Sequence, residues 1–491
     1  MPKTKLKIAH FASEVEPYSK SGGLASITAS LPKMQKELGY EVLVVTPFYE
    51  GIVSKNGNHL EELDSGKLEI EGVKYKISYF KGYLASGLPV YFIANKKFFG
   101  KRDLIYGAKN ENARFFFFNL AALNLLKKIK WQPDIVHCHD WQAGLIPYFL
   151  KGRFKNDSFW KNTAILYTIH NLAYQLGHDW WKVPIKKRDD GRSRLPSFHD
   201  RKNIETINFA KRAILSADAI NAVSETYREE IMTKSFGEEL HRILRNREKR
   251  VFGIVNGINY EEYNPATDPG LHQNYNFETH EKKRFNKKWL QKKFRLKVDA
   301  EIPLICMTSR IVEQKGFGIL LEVLPSIFRQ EIQFIIMGDG DDFIKNELGK
   351  IKKKYPKKFN VTKFNSKYET SIYAGSDIFL LPSRFEPCGI NQMIALRYGV
   401  IPIVHRIGGL ADTITNFNPI KRIGNGFTFQ EYESLSLAMA LTRALETYKY
   451  KEIWNTLVKS VMLEANSWKI PAQKYIDLYK KTISFKKKNG K

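Results

Sequence analysis

The chain has 491 residues, 43% hydrophobic and 13% aromatic, a size that calls for two soluble cores of roughly 200 residues each rather than one. Lys and Arg number 79 against 51 Asp and Glu, a formal charge of +28; the excess is lysine spread over loops and helix faces, with no arginine–aromatic module, so a solvated surface and an anionic small substrate fit better than nucleic acid. No apolar run has the length of a membrane span, the basic start runs into a strand without a signal core, and Cys138, Cys306 and Cys388 are too scattered for a disulfide framework or zinc site, which together point to a reducing cytoplasm.

In chain order, apolar strand-like runs alternate with amphipathic helical stretches. The first series of strands is predicted at 6–11, 41–46, 134–137, 164–169, 219–223 and 251–255. A polar, irregular stretch follows from Gly257 to Ile302, and a second series lies at 303–308, 333–337, 377–381, 400–404 and 426–429. Such alternation predicts an α/β fold of two doubly wound sheets in tandem with a hinge near 253–257. The last helical stretch, 472–479, suits either domain.

A weak internal echo accompanies this duplication. Gly22-Gly23-Leu24-Ala25 and Gly408-Gly409-Leu410-Ala411 each open a helix after a short loop. Paired glycines there let backbone N–H groups approach an anion where the helix dipole favours negative charge.

Ligands of open α/β sheets bind outside the carboxyl ends of the strands. Those ends carry Glu14 with Lys20 and Gly22-Gly23, then Asp140, His170-Asn171 and Asn256 in the first half. The second half supplies Arg310, Lys315 and the proline-flanked Glu386 with Cys388-Gly389-Ile390. If both sheets direct these edges into one cleft, Lys20, Arg310 and Lys315 suit a diphosphate, Arg310 bidentately. Carboxylates suit sugar hydroxyls, and the combination describes a nucleotide-sugar site. His137-x-His139-Asp140 has metal-like spacing, but both histidines share one strand face and packing explains them as well; no metal is expected. No Gly-x-Gly-x-x-Gly follows the first strand and no phosphate-binding Gly-x-x-x-x-Gly-Lys-Ser/Thr loop occurs.

Eight ordered motifs now carry a resemblance over nearly the whole chain. They are Lys20-Ser-Gly-Gly-Leu24, His137-Cys-His-Asp-Trp-Gln-Ala-Gly144, Thr168-Ile-His-Asn-Leu-Ala-Tyr-Gln175 and Gly253-Ile-Val-Asn-Gly-Ile258. Asn264-Pro-Ala-Thr-Asp-Pro269, Ser309-Arg-Ile-Val-Glu-Gln-Lys-Gly316, Pro382-Ser-Arg-Phe-Glu-Pro-Cys-Gly389 and the run Ile401 to Thr413 complete the set. In this order they resemble the bacterial glycogen synthase and plant starch synthase family. The resemblance implies two Rossmann-like domains facing across a cleft (the GT-B type), at 1–253 and 254–460, with a C-terminal helical segment at 461–491 returning to the first domain. It also implies a cytoplasmic enzyme that transfers glucose from ADP-glucose to the non-reducing end of an α-1,4-glucan with retention. ADP-glucose is then a co-substrate, with no cofactor.

Position by position, the resemblance implies that Lys20 with Gly22-Gly23, Arg310 and Lys315 hold the diphosphate. Glu386 would bind the donor glucose, with the Cys388-Gly389-Ile390 backbone against the sugar. His170 would contact its 6-hydroxyl, and Asp140, Asn171 and Asn256 would complete the pocket. Phe364 falls where the family places an aromatic against the base; Tyr106 and Glu14 fall on the acceptor side.

The chain departs from the family pattern at Ser26, where an aspartate is usual, at Ile390-Asn391, and at Thr370-Ser371, where a basic pair is usual. Residues 177–202 are more charged than the family's stretch. Two alternatives stay open on these grounds: a non-catalytic glucan-binding homologue, and a UDP-glucose-using transferase with another acceptor.

Overall fold

The structure, a computed structural model, describes residues 5–53, 60–100 and 104–489. The basic start read from residues 1–4 lies outside them. The chain divides into two compact units, one of residues up to Asn256 together with those from Trp468 onward, the other Gly257–Ser467.

The first unit is built on nine strands: β1 (Lys7–Phe11), β2 (Glu41–Pro47), β3 (Glu61–Ile70), β4 (Val73–Tyr83), β5 (Pro89–Ala94), β6 (Ile135–His139), β7 (Ala164–Ile169), β8 (Ala219–Ala222) and β9 (Val251–Gly253). Their order is β3-β4-β5-β2-β1-β6-β7-β8-β9, parallel except where β4 meets β3 and β5. The central strands are buried on both faces, as their unbroken apolar runs require. The hairpin β3–β4 turns at Glu71-Gly72, both at positive φ, the backbone twist that a two-residue hairpin prefers.

The second unit holds β10 (Leu304–Thr308), β11 (Gln333–Met337), β12 (Phe359–Thr362), β13 (Ile378–Leu381), β14 (Ile401–His405) and β15 (Phe427–Phe429). All pair in parallel in the order β12-β11-β10-β13-β14-β15. Each sheet therefore reverses its winding once, between β1 and β6 in the first and between β10 and β13 in the second. At such a reversal the loops leaving neighbouring strands part to opposite faces and open a crevice.

The last helix, Lys469–Asn489, belongs to the first unit and buries Ala472, Tyr475, Ile476 and Tyr479, a stripe at helical spacing. The preceding helix, Lys451–Met462, buries Trp454, Leu457, Val458 and Val461 and packs on helix Asn391–Arg397 and on β14. Ile258 N then bonds Asn466 O at 2.8 Å, so residues 461–467 stay with the second unit rather than with the final helix. Similarly Ile254 N bonds Ala222 O at 3.0 Å, which carries the first unit past residue 253 to Asn256.

Candidate functional site

In the first unit, β1 runs into Ser13 and Glu14, and the helix Gly23–Glu37 begins across from them. That helix forms because Leu24, Ile27, Leu31 and Gln35 repeat at three- and four-residue spacing on its buried face. Glu14 is buried and takes the Ser21 amide at 2.5 Å, with Ser21 Oγ and the Tyr106 hydroxyl each at 3.3 Å. Tyr106 is also 2.7 Å from Ser13 Oγ. Burial raises the Glu14 carboxyl, and the Ser21 and Gly22 amides and Tyr106 oppose that rise. Glu14 and Tyr106 thus form one site. A Cβ on Gly22 would meet nothing within 4 Å, so packing within the protein does not require glycine there; the open space leaves the backbone accessible.

Lys20 Nζ donates to both Glu16 oxygens at 2.7 and 2.8 Å, and Ser26 Oγ donates to Glu16 at 2.6 Å. Position 26 therefore acts on Lys20 through Glu16, a residue the sequence reading missed. No motif points to Glu16; its signal is only the i, i+4 spacing to Lys20.

On the other side of the winding reversal, β6 leads into Asp140, whose φ of 55° is left-handed and unusual for a residue with a side chain. Asp140 accepts the His170 amide at 2.7 Å. Burial pushes its carboxyl up to about 7, against the His170 and Asn171 amides that lower it. Asn171 Oδ1 accepts the Ala173 amide at 3.1 Å. His170 Nδ1 and Asn256 Oδ1 are buried without a hydrogen-bond partner among the described residues. Asp140, His170 and Asn171 lie together.

The Asp140 shift has a consequence for stability. A carboxyl raised on folding favours the native state fully below its unfolded value near 4, and that contribution is lost as pH rises through about 7. Asp140→Asn keeps an oxygen for the His170 amide but cannot ionise. Its melting temperature should fall less than that of the unmodified chain between pH 4 and 7; parallel curves would refute this.

In the second unit, the loop after β10 carries Arg310 and Lys315, and the loop after β13 carries Glu386. Gly316, at φ +81°, would place a Cβ 1.9 Å from the Pro382 carbonyl oxygen, so only glycine lets these loops meet. Lys315 Nζ and Glu386 Oε2 form an ion pair at 2.5 Å, both side chains largely buried, and Ser383 Oγ donates to the same oxygen at 3.1 Å. Gln314 ties the loops again, with its carbonyl accepting the Arg384 amide at 2.8 Å and its side chain donating to Phe385 O at 3.2 Å. Arg310 is exposed, with its Nη2 3.4 Å from Gln314 Oε1. Cys388 is buried, and Gly409 packs so closely on it that a Cβ would lie 2.1 Å from the Cys388 oxygen. Ile390 precedes helix Asn391–Arg397, and Asn391 Nδ2 donates to Thr308 O at 2.7 Å. Phe364 is 55% exposed, beyond the end of β12.

The His137–His139 pair does share one strand face, and His10 of β1 joins it. All six ring nitrogens of these three histidines have hydrogen-bond partners, so the cluster is a hydrogen-bonded array.

The comparisons with known proteins agree along the whole chain. The starch synthase catalytic domain family matches residues 7–246, and the group 1 glycosyl transferase family matches residues 290–459. A glycogen synthase of Thermosipho melanesiensis is 40% identical over 488 residues, 98% of this chain and 99% of that protein. The chain belongs to the glycogen and starch synthase family. Another member, a glycogen synthase of Geotalea daltonii, is 40% identical over 98% of this chain and 100% of its own. Among solved structures, the catalytic domain of starch synthase IV from Arabidopsis thaliana, bound to ADP and acarbose, superposes with a TM-score of 0.87. It is 32% identical and covers 98% of this chain and 100% of its own. A sucrose-phosphate synthase from Thermosynechococcus elongatus, 15% identical with a TM-score of 0.62, shares the fold. The two sheets of this family member are accordingly Rossmann-like. Among the described residues no helix is long and apolar enough to cross a membrane.

Proposed function

We propose that this synthase-family chain transfers glucose from ADP-glucose to the non-reducing end of an α-1,4-glucan, with retention at the anomeric carbon. The observation that carries the reading is the Lys315–Glu386 pair at the winding reversal of the second sheet, with Arg310 exposed on the same loop as Lys315. Cleaving a glycosyl–diphosphate bond builds positive charge on the sugar ring and negative charge on the leaving oxygen. Fixed cations beside that oxygen lower the barrier directly. Arg310 and Lys315 supply them. When a diphosphate draws on Lys315, the Glu386 carboxylate becomes available to accept from sugar hydroxyls. In the first unit, His170, Asp140, Asn171 and Asn256 are assigned to sugar hydroxyls. Glu14 and Tyr106 serve the acceptor, and Phe364 meets the base.

Retention in glycosidases uses a carboxylate nucleophile. Here the Glu386 carboxylate passes from Lys315 to the sugar hydroxyls, and Asp140, with its raised carboxyl, is held by a backbone amide. We therefore assign no nucleophile, and the leaving phosphate takes the acceptor's proton on the same face. The starch synthase with ADP bound supports ADP as the leaving group. Cys138, Cys306 and Cys388 are buried and none is in a disulfide among the described residues, which fits a reducing cytoplasm. Supplying ADP-glucose and glycogen, with UDP-glucose as competitor, and measuring nucleotide release tests the reading. Glucan-dependent ADP release is expected; release indifferent to glucan, or from UDP-glucose alone, would count against it.

A further inference from the structure

A chain of hydrogen bonds runs behind His170. His170 Nε2 lies 3.0 Å from His139 Nδ1, and His139 Nε2 lies 3.0 Å from His10 Nδ1. His10 Nε2 lies 2.8 Å from Gln35 Oε1, and Gln35 Nε2 donates to the Tyr479 hydroxyl at 2.9 Å. That hydroxyl lies 2.8 Å from His137 Nδ1, whose Nε2 ends the path 2.7 Å from Thr168 Oγ1. Every group belongs to the first unit.

Burial keeps the rings neutral, with His170 lowered to about 3 and His10 to about 4, and His137 and His139 well below their ordinary value. A neutral imidazole has one donor nitrogen and one acceptor nitrogen. The three linked rings must therefore all point their protons the same way. A Gln35 oxygen accepting from His10 Nε2–H makes His10 Nδ1 an acceptor, so His139 carries its proton on Nε2, and His170 does likewise. The hydroxyl of Tyr479, accepting from Gln35, donates to His137 Nδ1 and places that ring's proton on Nε2 as well. Turning the Gln35 amide over would move all four protons to Nδ1. That arrangement leaves a buried N–H on His170 Nδ1, which has no partner among the described residues, and orphaned buried N–H groups are rarer in folded proteins than under-satisfied acceptors.

We infer that Gln35 and Tyr479 are positioning residues that hold His170 as the Nε2–H tautomer, so that its Nδ1 is a pure acceptor. The ligand for that nitrogen is then a hydroxyl that donates, and the rejected ligand is a group that only accepts. Assigning the hydroxyl to the donor sugar rests on the proposed function; the tautomer does not.

Imidazole 15N spectra of the unliganded chain decide the point separately from any activity. All four rings, His10, His137, His139 and His170, should show a protonated Nε2 and a bare Nδ1. Gln35→Met removes the anchor and should populate a second tautomer at His10, His139 and His170. Tyr479→Phe, a milder change should the first variant not fold, frees the amide to turn and should give mixed tautomers at His10, His139 and His170 as well as at His137. A proton on Nδ1 of His170 in the unmodified chain, or unchanged spectra in the folded variants, overturns the inference. His170→Ala with normal transfer would instead count against the sugar assignment.

Discussion

Replacing Lys315 with alanine should lower kcat by about 10²–10³, or about 2.7–4 kcal/mol of transition-state stabilisation. The cation's attraction grows as the leaving oxygen gains charge, so the loss should fall on kcat more than on KM for the nucleotide sugar. A second effect follows from the ion pair. Without Lys315, Glu386 keeps Ser383 as a hydrogen-bond donor while remaining only 8% exposed. A largely buried carboxylate that loses its cation is costly to leave unpaired, so Lys315→Ala should also lose stability. Arg310→Ala separates the two effects. Arg310 is exposed and makes one long contact to Gln314, so its loss should reduce kcat without altering stability. Steady-state kinetics and melting temperatures of both variants check this. Near-normal turnover in both would remove the diphosphate from this loop.

The largest structural effect is expected at Arg212. This guanidinium is 1% exposed and meets Asp189, 3% exposed, through two bonds of 2.7 and 2.9 Å. A further bond reaches Ser193 O at 2.9 Å. Arg212→Met leaves a buried carboxylate without its partner and should cost about 3–5 kcal/mol. Asp189 would still accept the Gly191 and Asn208 amides, both at 3.1 Å, which favours the lower end. Removing both charges, as Arg212→Met with Asp189→Asn, should restore part of the loss. Urea unfolding followed by tryptophan fluorescence measures the series, because Trp180 sits in a small cluster with Leu176 and Val183 in the same segment. A single variant as stable as the unmodified chain would refute the account. Part of the charge in residues 177–202 is thus a buried ion pair, Asp189 with Arg212, that pins the segment.

Most of the parallel strands were legible because each is a short apolar run closed by polar residues, and β7 and β11 match the predicted bounds to the residue; β5 and β12, parallel to β2 and β11, were not read. Much of Glu61–Ile70 is solvent-exposed and interleaved with charge, so no apolar run marks β3; β4 did carry a signal, the alternation Val73-Lys-Tyr-Lys-Ile-Ser-Tyr79 after Glu71-Gly72, and it was passed over. Pairing of β3 with β4 and of β4 with β5 holds the two in place, a long-range cause. At the candidate site, the residue types at strand ends were readable, but their partners were not. Lys315 and Glu386 lie 71 positions apart and meet only because β10 and β13 are neighbours. Gln35 did leave a trace, a polar residue on the otherwise apolar stripe of Leu24, Ile27 and Leu31. Tyr479 and His10 left none, since an aromatic or a histidine on a buried face looks like ordinary core.

The most direct test of the glucosyl-transfer reading is to incubate the purified chain with ADP-glucose carrying 13C at the anomeric carbon and a short α-1,4-glucan. Carbon NMR of the product should show the label in a new α-1,4 linkage at the chain end, with one ADP released for each glucose added. Label found as free glucose, or in a β linkage, or remaining on the nucleotide, would contradict it.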